Sequence, residues 1–216
     1  DPETVADSPI NYIQTINDTI ESLHVPDTLE GFSAPGGLGP LLPVFVAAMR
    51  NGSSEMREQV SLGIRGMVSK TEPVALTSAV LQTIAGPLIR ILSEPNLESR
   101  IRADILMTLN LLVERGGEKI KIFATTLQVT FIKAISSTFK PSREQAAIGI
   151  GRLIGLGAKP DFLIKALGPA LKAAASTKPE ECLSAISKVY ASLTVDVTDA
   201  TSTTIRDAII PFMEGS

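Results

Sequence analysis

Apolar residues recur three and four positions apart through most of this chain, the spacing that lines one face of a helix. Four such stretches align with one another: "REQVSLGIRGMV" from Arg57, "RADILMTLNLLV" from Arg102, "REQAAIGIGRLI" from Arg143 and "CLSAISKVYASL" from Cys182. Their starts lie 45, 41 and 39 residues apart. In the third stretch Ala146, Ala147, Ile150 and Ile154 share a face; in the fourth, Leu183, Ile186 and Tyr190 do.

A second apolar helix is predicted ahead of each stretch: "LLPVFVAAM" (41–49), "GPLIRIL" (86–92), "LQVTFIKAI" (127–135) and "LGPALKAAA" (167–175). Short breakers separate the two helices of each pair: "NGSS" (51–54), "SEPN" (93–96), "KPS" (140–142) and "TKPE" (177–180). Pro and Ser end one helix there and begin the next. A helix pair of about 40 residues that recurs along a chain is the HEAT/armadillo pattern, because one pair cannot bury its apolar face alone. The expected fold is all-α, an α-solenoid of stacked HEAT-like helical hairpins. Residues 1–36 read as an acidic segment with one helix, near "INYIQTINDTIESL" (10–23), and an irregular surface loop centred on 25–39. Residues 37–216 read as about four helix pairs and a terminal helix near 203–213.

Composition agrees with that reading. The 216 residues are 44% hydrophobic but only 4% aromatic, with no Trp, which suits helix-on-helix packing better than a β-sandwich. No apolar run is long enough to span a membrane. The opening "DPETV" is not a secretory leader, and both ends read as cuts in a longer polypeptide. A lone Cys182 cannot form an internal disulfide, which fits a reducing compartment and a cytoplasmic location. The net charge of −3 is unevenly spread: residues 1–36 hold seven acidic residues and no Lys or Arg, leaving the other 180 at +4. Within 115–172, ten Lys/Arg stand against three Asp/Glu, enough to attract an acidic partner but with no dense basic run for a nucleic-acid groove.

Signals for chemistry are few. The glycines of "GIGRLIGLG" (149–157) follow residues already helical, whereas a phosphate-binding loop needs a strand before its first glycine. Gly149 and Gly151 therefore read as close-packing residues, and Gly155 and Gly157 as a helix end. The single histidine, His24, reads as a cation at a helix C-terminus, and Glu180 and Glu181 open a helix where negative charge is favoured. No catalytic constellation, metal cluster or cofactor motif emerges, so the expected role is not enzymatic, and neither a cofactor nor a small-molecule substrate is expected.

The arginines remain. Arg57, Arg102 and Arg143 recur near the starts of the second helices, where bonds to loop carbonyls or neighbouring carboxylates are their ordinary role. Arg90 differs: with Leu88, Ile91 and Leu92 turned inward, it faces the opposite side of its helix.

The order of these segments resembles the C-terminal HEAT region of the general control non-derepressible activator family. "TIAGPLIRIL" (83–92) is similar to the family's "ITGPLIRIL", and "LQVTFIKAI" (127–135) to "LQxTFxKAL". "GLGPLLPVFVAAMRNGSSEMREQVSLGI" (37–64), "ADILMTLNLLVERGGEKIKIF" (103–123) and "IGRLIGLGAKPDFL" (150–163) resemble further family passages in the same order. The family's "KPFLPQLQ" appears here as "KIFATTLQ" (121–128), with Ile122 and Thr125 in place of two prolines, which suggests a regularised first helix in that repeat.

The resemblance implies a cytosolic, ribosome-associated activator of the starvation-responsive kinase that phosphorylates the alpha subunit of initiation factor 2. It implies that this region binds RWD domains, that of the kinase among them, and that ribosome contact belongs to the full-length protein. By the same resemblance Arg90 is the principal contact and Phe123 a second site residue, either in apolar contact or holding the helix that presents Arg90. Arg102 and Lys121 would flank that surface. An alternative role is a scaffold segment that itself contacts the ribosome.

Overall fold

A computed structural model describes residues 41–157, together with residues 13–15, 17, 18 and 203. The fourth helix pair, the terminal helix and most of the acidic segment lie outside the described residues. Among those described there is no strand. Six α-helices follow one another: α1 (Leu42–Asn51), α2 (Ser54–Lys70), α3 (Ser78–Leu92), α4 (Ser99–Gly116), α5 (Ala124–Ile135) and α6 (Lys140–Gly155). A 3-10 segment, Gly117–Phe123, leads into α5. The fold is all-α, a HEAT-like α-solenoid. The chain divides into two compact units, Asp1–Ile120 and Lys121–Ser216.

In the first unit, α1 packs on α2 and α3 on α4; the hairpins then stack, α1 against α3 and α2 against α4. The spacing seen in the sequence becomes the buried stripe. Leu42, Phe45 and Met49 line α1, and Val60, Ile64, Met67 and Val68 line α2. Helix α4 buries Ile101, Ile105, Leu106, Leu109, Leu112 and Val113. Ser53 begins α2 by accepting the Met56 N–H, and Thr77 does the same for Val80 in α3, each replacing a bond the first turn lacks. Gly117 follows α4 with φ of 51°, a left-handed conformation that glycine adopts without penalty.

Polar links between the stacked hairpins carry the repeat period. Arg57 pairs with Glu94, Arg65 with Asp104 and Arg100 with Glu58, at sequence separations of 37, 39 and 42 residues. Arg115 donates to the carbonyl of Thr71, and Lys119 to that of Pro73 at 2.9 Å, holding the α2–α3 connection. The buried Asn17 donates to the Gln59 carbonyl at 2.8 Å, the same kind of link to α2.

In the second unit α5 packs on α6 through Leu127, Phe131 and Ile135 against Ala146, Ala147, Ile150, Leu153 and Ile154. Hairpins α1/α2 and α5/α6 share one device. Phe45 sits 18 residues before Gly63, and Phe131 18 before Gly149. A Cβ on Gly149 would lie 2.5–2.6 Å from three carbons of the Phe131 ring, and one on Gly63 would run into the Phe45 ring and Asn17. Only glycine lets the ring lie this close to the facing helix. The packing reading of Gly149 in "GIGRLIGLG" is what the structure shows, and Gly157, with φ of 89°, follows the end of α6.

Two boundaries differ from expectation. "KPS" (140–142) is the first turn of α6, not a break, because proline's missing N–H is unneeded there; the break is 136–139. The first helix of the middle hairpin begins at Ser78 rather than Gly86, which places Gly86 and Pro87 inside it. Thr77's cap and the stripe Val80, Leu81, Ile84, Ala85 start the helix two turns early and carry it through the proline.

Candidate docking surface on helix α3

Helix α3 owes its orientation to a strongly apolar inner face: Val80, Leu81, Ile84, Ala85, Leu88, Ile91 and Leu92 are all buried. That leaves an outer arc of Ala79, Gln82, Thr83, Gly86, Arg90 and Ser93, all exposed except the half-buried Gly86. Arg90 is the one charged member of this arc and stands in the last helical turn, where a cation is favoured by the helix dipole. Among the described residues it has no ion pair and no side-chain hydrogen bond. Glu94, two residues past the end of the helix, pairs with Arg57, whose Nη1 lies 2.7 Å from Glu94 Oε2.

The end of α3 that carries Arg90 is held from two sides. Arg57 grips the Glu94 carboxylate and, through Nη2, the Arg50 carbonyl at 2.9 Å. Arg102, from α4, donates to the Leu92 carbonyl at 2.7 Å and the Glu94 carbonyl at 3.3 Å. The Leu92 carbonyl, at the C-terminus, has no intrahelical partner, so the guanidinium satisfies it while also reaching the following turn. Arg143 makes the corresponding bond in the second unit, to the Ser137 carbonyl at 2.6 Å. The three recurring arginines thus each tie a second helix to the end of the first.

The structure brings Arg102 to the base of the turn bearing Arg90, half-buried and occupied by carbonyls. Lys121 and Phe123 belong to the other unit, on the 3-10 segment before α5. Lys121 is exposed, its Nζ 3.9 Å from where a Cβ on Gly157 would stand; Phe123 is half-buried and caps the start of α5. Helix α5 begins immediately after it, with Thr125 in its first turn, where the family pattern has a proline.

The bonds from Arg57 and Arg102 to the end of α3 were not assignable individually from the sequence, although their recurrence marked the positions. Ala79, Gln82 and Thr83 were missed as members of the outer arc because the helix was expected to begin at Gly86. Among the described residues no group of His, Cys, Asp and Glu is arranged to hold a metal, and no helix is long and apolar enough to cross a membrane.

These features define a helical-repeat scaffold with an exposed cation at one helix end. Comparison with known proteins places it more narrowly. Protein ILITYHIA of Arabidopsis thaliana is 37% identical over 158 residues, 73% of this chain. The eIF-2-alpha kinase activator GCN1 of Dictyostelium discoideum is 34% identical over 175 residues, 81% of the chain, and the stalled ribosome sensor GCN1 of Mus musculus 35% over 156, or 72%. The chain belongs to the GCN1 family. It spans about 6% of the length of these relatives. No family model matches it. A crystal structure of an engineered protein superposes with a TM-score of 0.54 over 98% of this chain and 94% of that one, at 14% identity, a likeness of fold alone.

Proposed function

We propose that this region is a non-enzymatic docking module that binds an RWD domain, that of the kinase phosphorylating the alpha subunit of initiation factor 2. By tethering the kinase it promotes activation on ribosomes in the cytoplasm during amino-acid starvation, through raised local concentration rather than chemistry. Other RWD-domain proteins compete for the same surface. The observation that carries this reading is Arg90: an exposed guanidinium without a partner among the described residues, on a helix end immobilised by Arg57 and Arg102. A preorganised guanidinium meets a carboxylate through charge-assisted bonds at little further ordering cost. Relatives named as activators of the eIF-2-alpha kinase supply the biological direction.

In this reading Arg102 serves by bracing α3, while Lys121 and Phe123 supply a second contact region or stabilise the start of α5. Titration of the purified RWD domain into the chain tests the proposal. Arg90→Ala is expected to weaken binding about 30-fold, or about 2 kcal/mol, with the melting temperature unchanged. Equal affinity for parent and variant removes Arg90 from the site.

A second reading rests on the net +7 of residues 115–172 and on relatives named stalled ribosome sensors: the segment itself contacts the ribosome. It requires ribosome binding whose logarithm falls steeply with log salt, as phosphate neutralisation dictates. Salt-insensitive binding rejects it.

A further inference from the structure

Two residues in the middle of α3 work against the helix that contains them. Gly86 has the poorest helix propensity after proline, and Pro87, next to it, removes a main-chain N–H. At several other positions the fold explains such residues. Pro43 and Pro141 stand in first turns, and Gly63 and Gly149 make room for aromatic rings. Gly86 has neither excuse. Its φ is not positive, and a Cβ built on it meets nothing within 4 Å among the described residues.

What the pair does create lies on the outer face. At about 100° per residue, Gly86 falls at the centre of the arc formed by Ala79, Gln82, Thr83, Arg90 and Ser93. The middle of that arc therefore has no side chain. Pro87 has no N–H to give to the Thr83 carbonyl, one turn back on the exposed side, so that acceptor lacks its regular partner. Thr83's own hydroxyl is committed to the Ala79 carbonyl at 3.0 Å. The face thus offers, in a row, a carbonyl without its regular donor, a position without a Cβ, and a cation with no ion partner among the described residues.

The geometry points to Gly86–Pro87 as a notch that receives the main chain of an acidic partner segment whose carboxylate pairs with Arg90. This rests on the docking reading above and specifies how the partner lies. Thr83 and Arg90 are separated by seven residues, roughly 10 Å along a helix. About three residues of extended chain cover that distance. One partner amide N–H then reaches the Thr83 carbonyl while an Asp or Glu three residues away meets Arg90. Glycine at 86 lets the partner backbone approach, as it does wherever main chain packs on main chain.

The test joins thermal melting to titration with the purified RWD domain of the eIF-2-alpha kinase, for Gly86→Ala, Gly86→Gln, Pro87→Ala and Arg90→Ala. Replacing Gly86 is expected to raise the melting temperature and lower affinity together, by a few-fold for Ala and at least about tenfold for Gln. Pro87→Ala is expected to raise the melting temperature and weaken binding a few-fold, because the new N–H reclaims the Thr83 carbonyl. Arg90→Ala lowers affinity without moving the melt. If Gly86→Gln binds as tightly as the parent while Arg90→Ala does not, docking stands and the notch is rejected. If Gly86→Ala and Gly86→Gln both lower the melting temperature, the glycine serves the fold and the notch is rejected on that ground. If no variant changes affinity, the docking reading itself fails.

Discussion

The outer hairpins of the described region, α1/α2 and α5/α6, and the middle one, α3/α4, solve the same packing problem differently. In the outer two a phenylalanine ring lies directly on a glycine of the facing helix. In the middle hairpin the glycine's register, six residues after the recurrent arginine, holds Thr108, buried and bonded to the Asp104 carbonyl at 3.0 Å. The middle hairpin's helix-interior glycine is Gly86, on the outer face of the first helix, where an added Cβ would meet nothing within 4 Å among the described residues. A glycine pressed by a ring belongs to stability; Gly86, with no such contact among the described residues, is the one the notch proposed above accounts for.

Removing a ring tests this contrast most severely. Phe131 is fully buried, so Phe131→Ala is expected to cost about 3–5 kcal/mol in urea unfolding, from lost burial and the cavity left behind. The two glycines should then respond with opposite signs. Gly149→Ala forces a Cβ against a ring that cannot retreat, and overpacking outweighs the gain in helix propensity, for a net loss of about 1–2 kcal/mol. Gly86→Ala, with no obstruction, is expected to gain about 0.5–1 kcal/mol. A loss at both positions would erase the distinction. Smaller effects sharpen it. Arg102→Ala, which leaves the Leu92 carbonyl without its side-chain donor, should cost about 1–2 kcal/mol. Arg100→Ala, whose side chain is 74% exposed in its pair with Glu58, should change unfolding by less than about 0.5 kcal/mol.

Helical hairpins were legible in the sequence because burial alone dictates their three-and-four spacing, as in Phe45–Met49 and Phe131–Ile135. Boundaries governed by proline were not. Pro141 looks like a breaker yet fits a first turn, while Pro87 looks like a helix start yet sits well inside one. Register was harder still. Counting back twelve residues from the recurrent arginine reaches Phe45 and Phe131 in two hairpins but Arg90 in the third. The connection of the middle hairpin, residues 93–98, is longer than 52–53 or 136–139, and this shifts the helix so that Leu88 turns inward and Arg90 outward. The outward direction of Arg90 followed from its apolar neighbours. That Glu94 would pair with Arg57, 37 residues earlier, could not.

That distant bond between Arg57 and Glu94 has a consequence for Arg90. Glu94 lies just past the end of α3, so its bond to Arg57 ties the turn that follows Arg90 to the preceding repeat. Releasing Arg57 would loosen the seat on which that cation stands. One hairpin thereby sets how firmly its neighbour's charge is held, and a change far from Arg90 can move it without touching it.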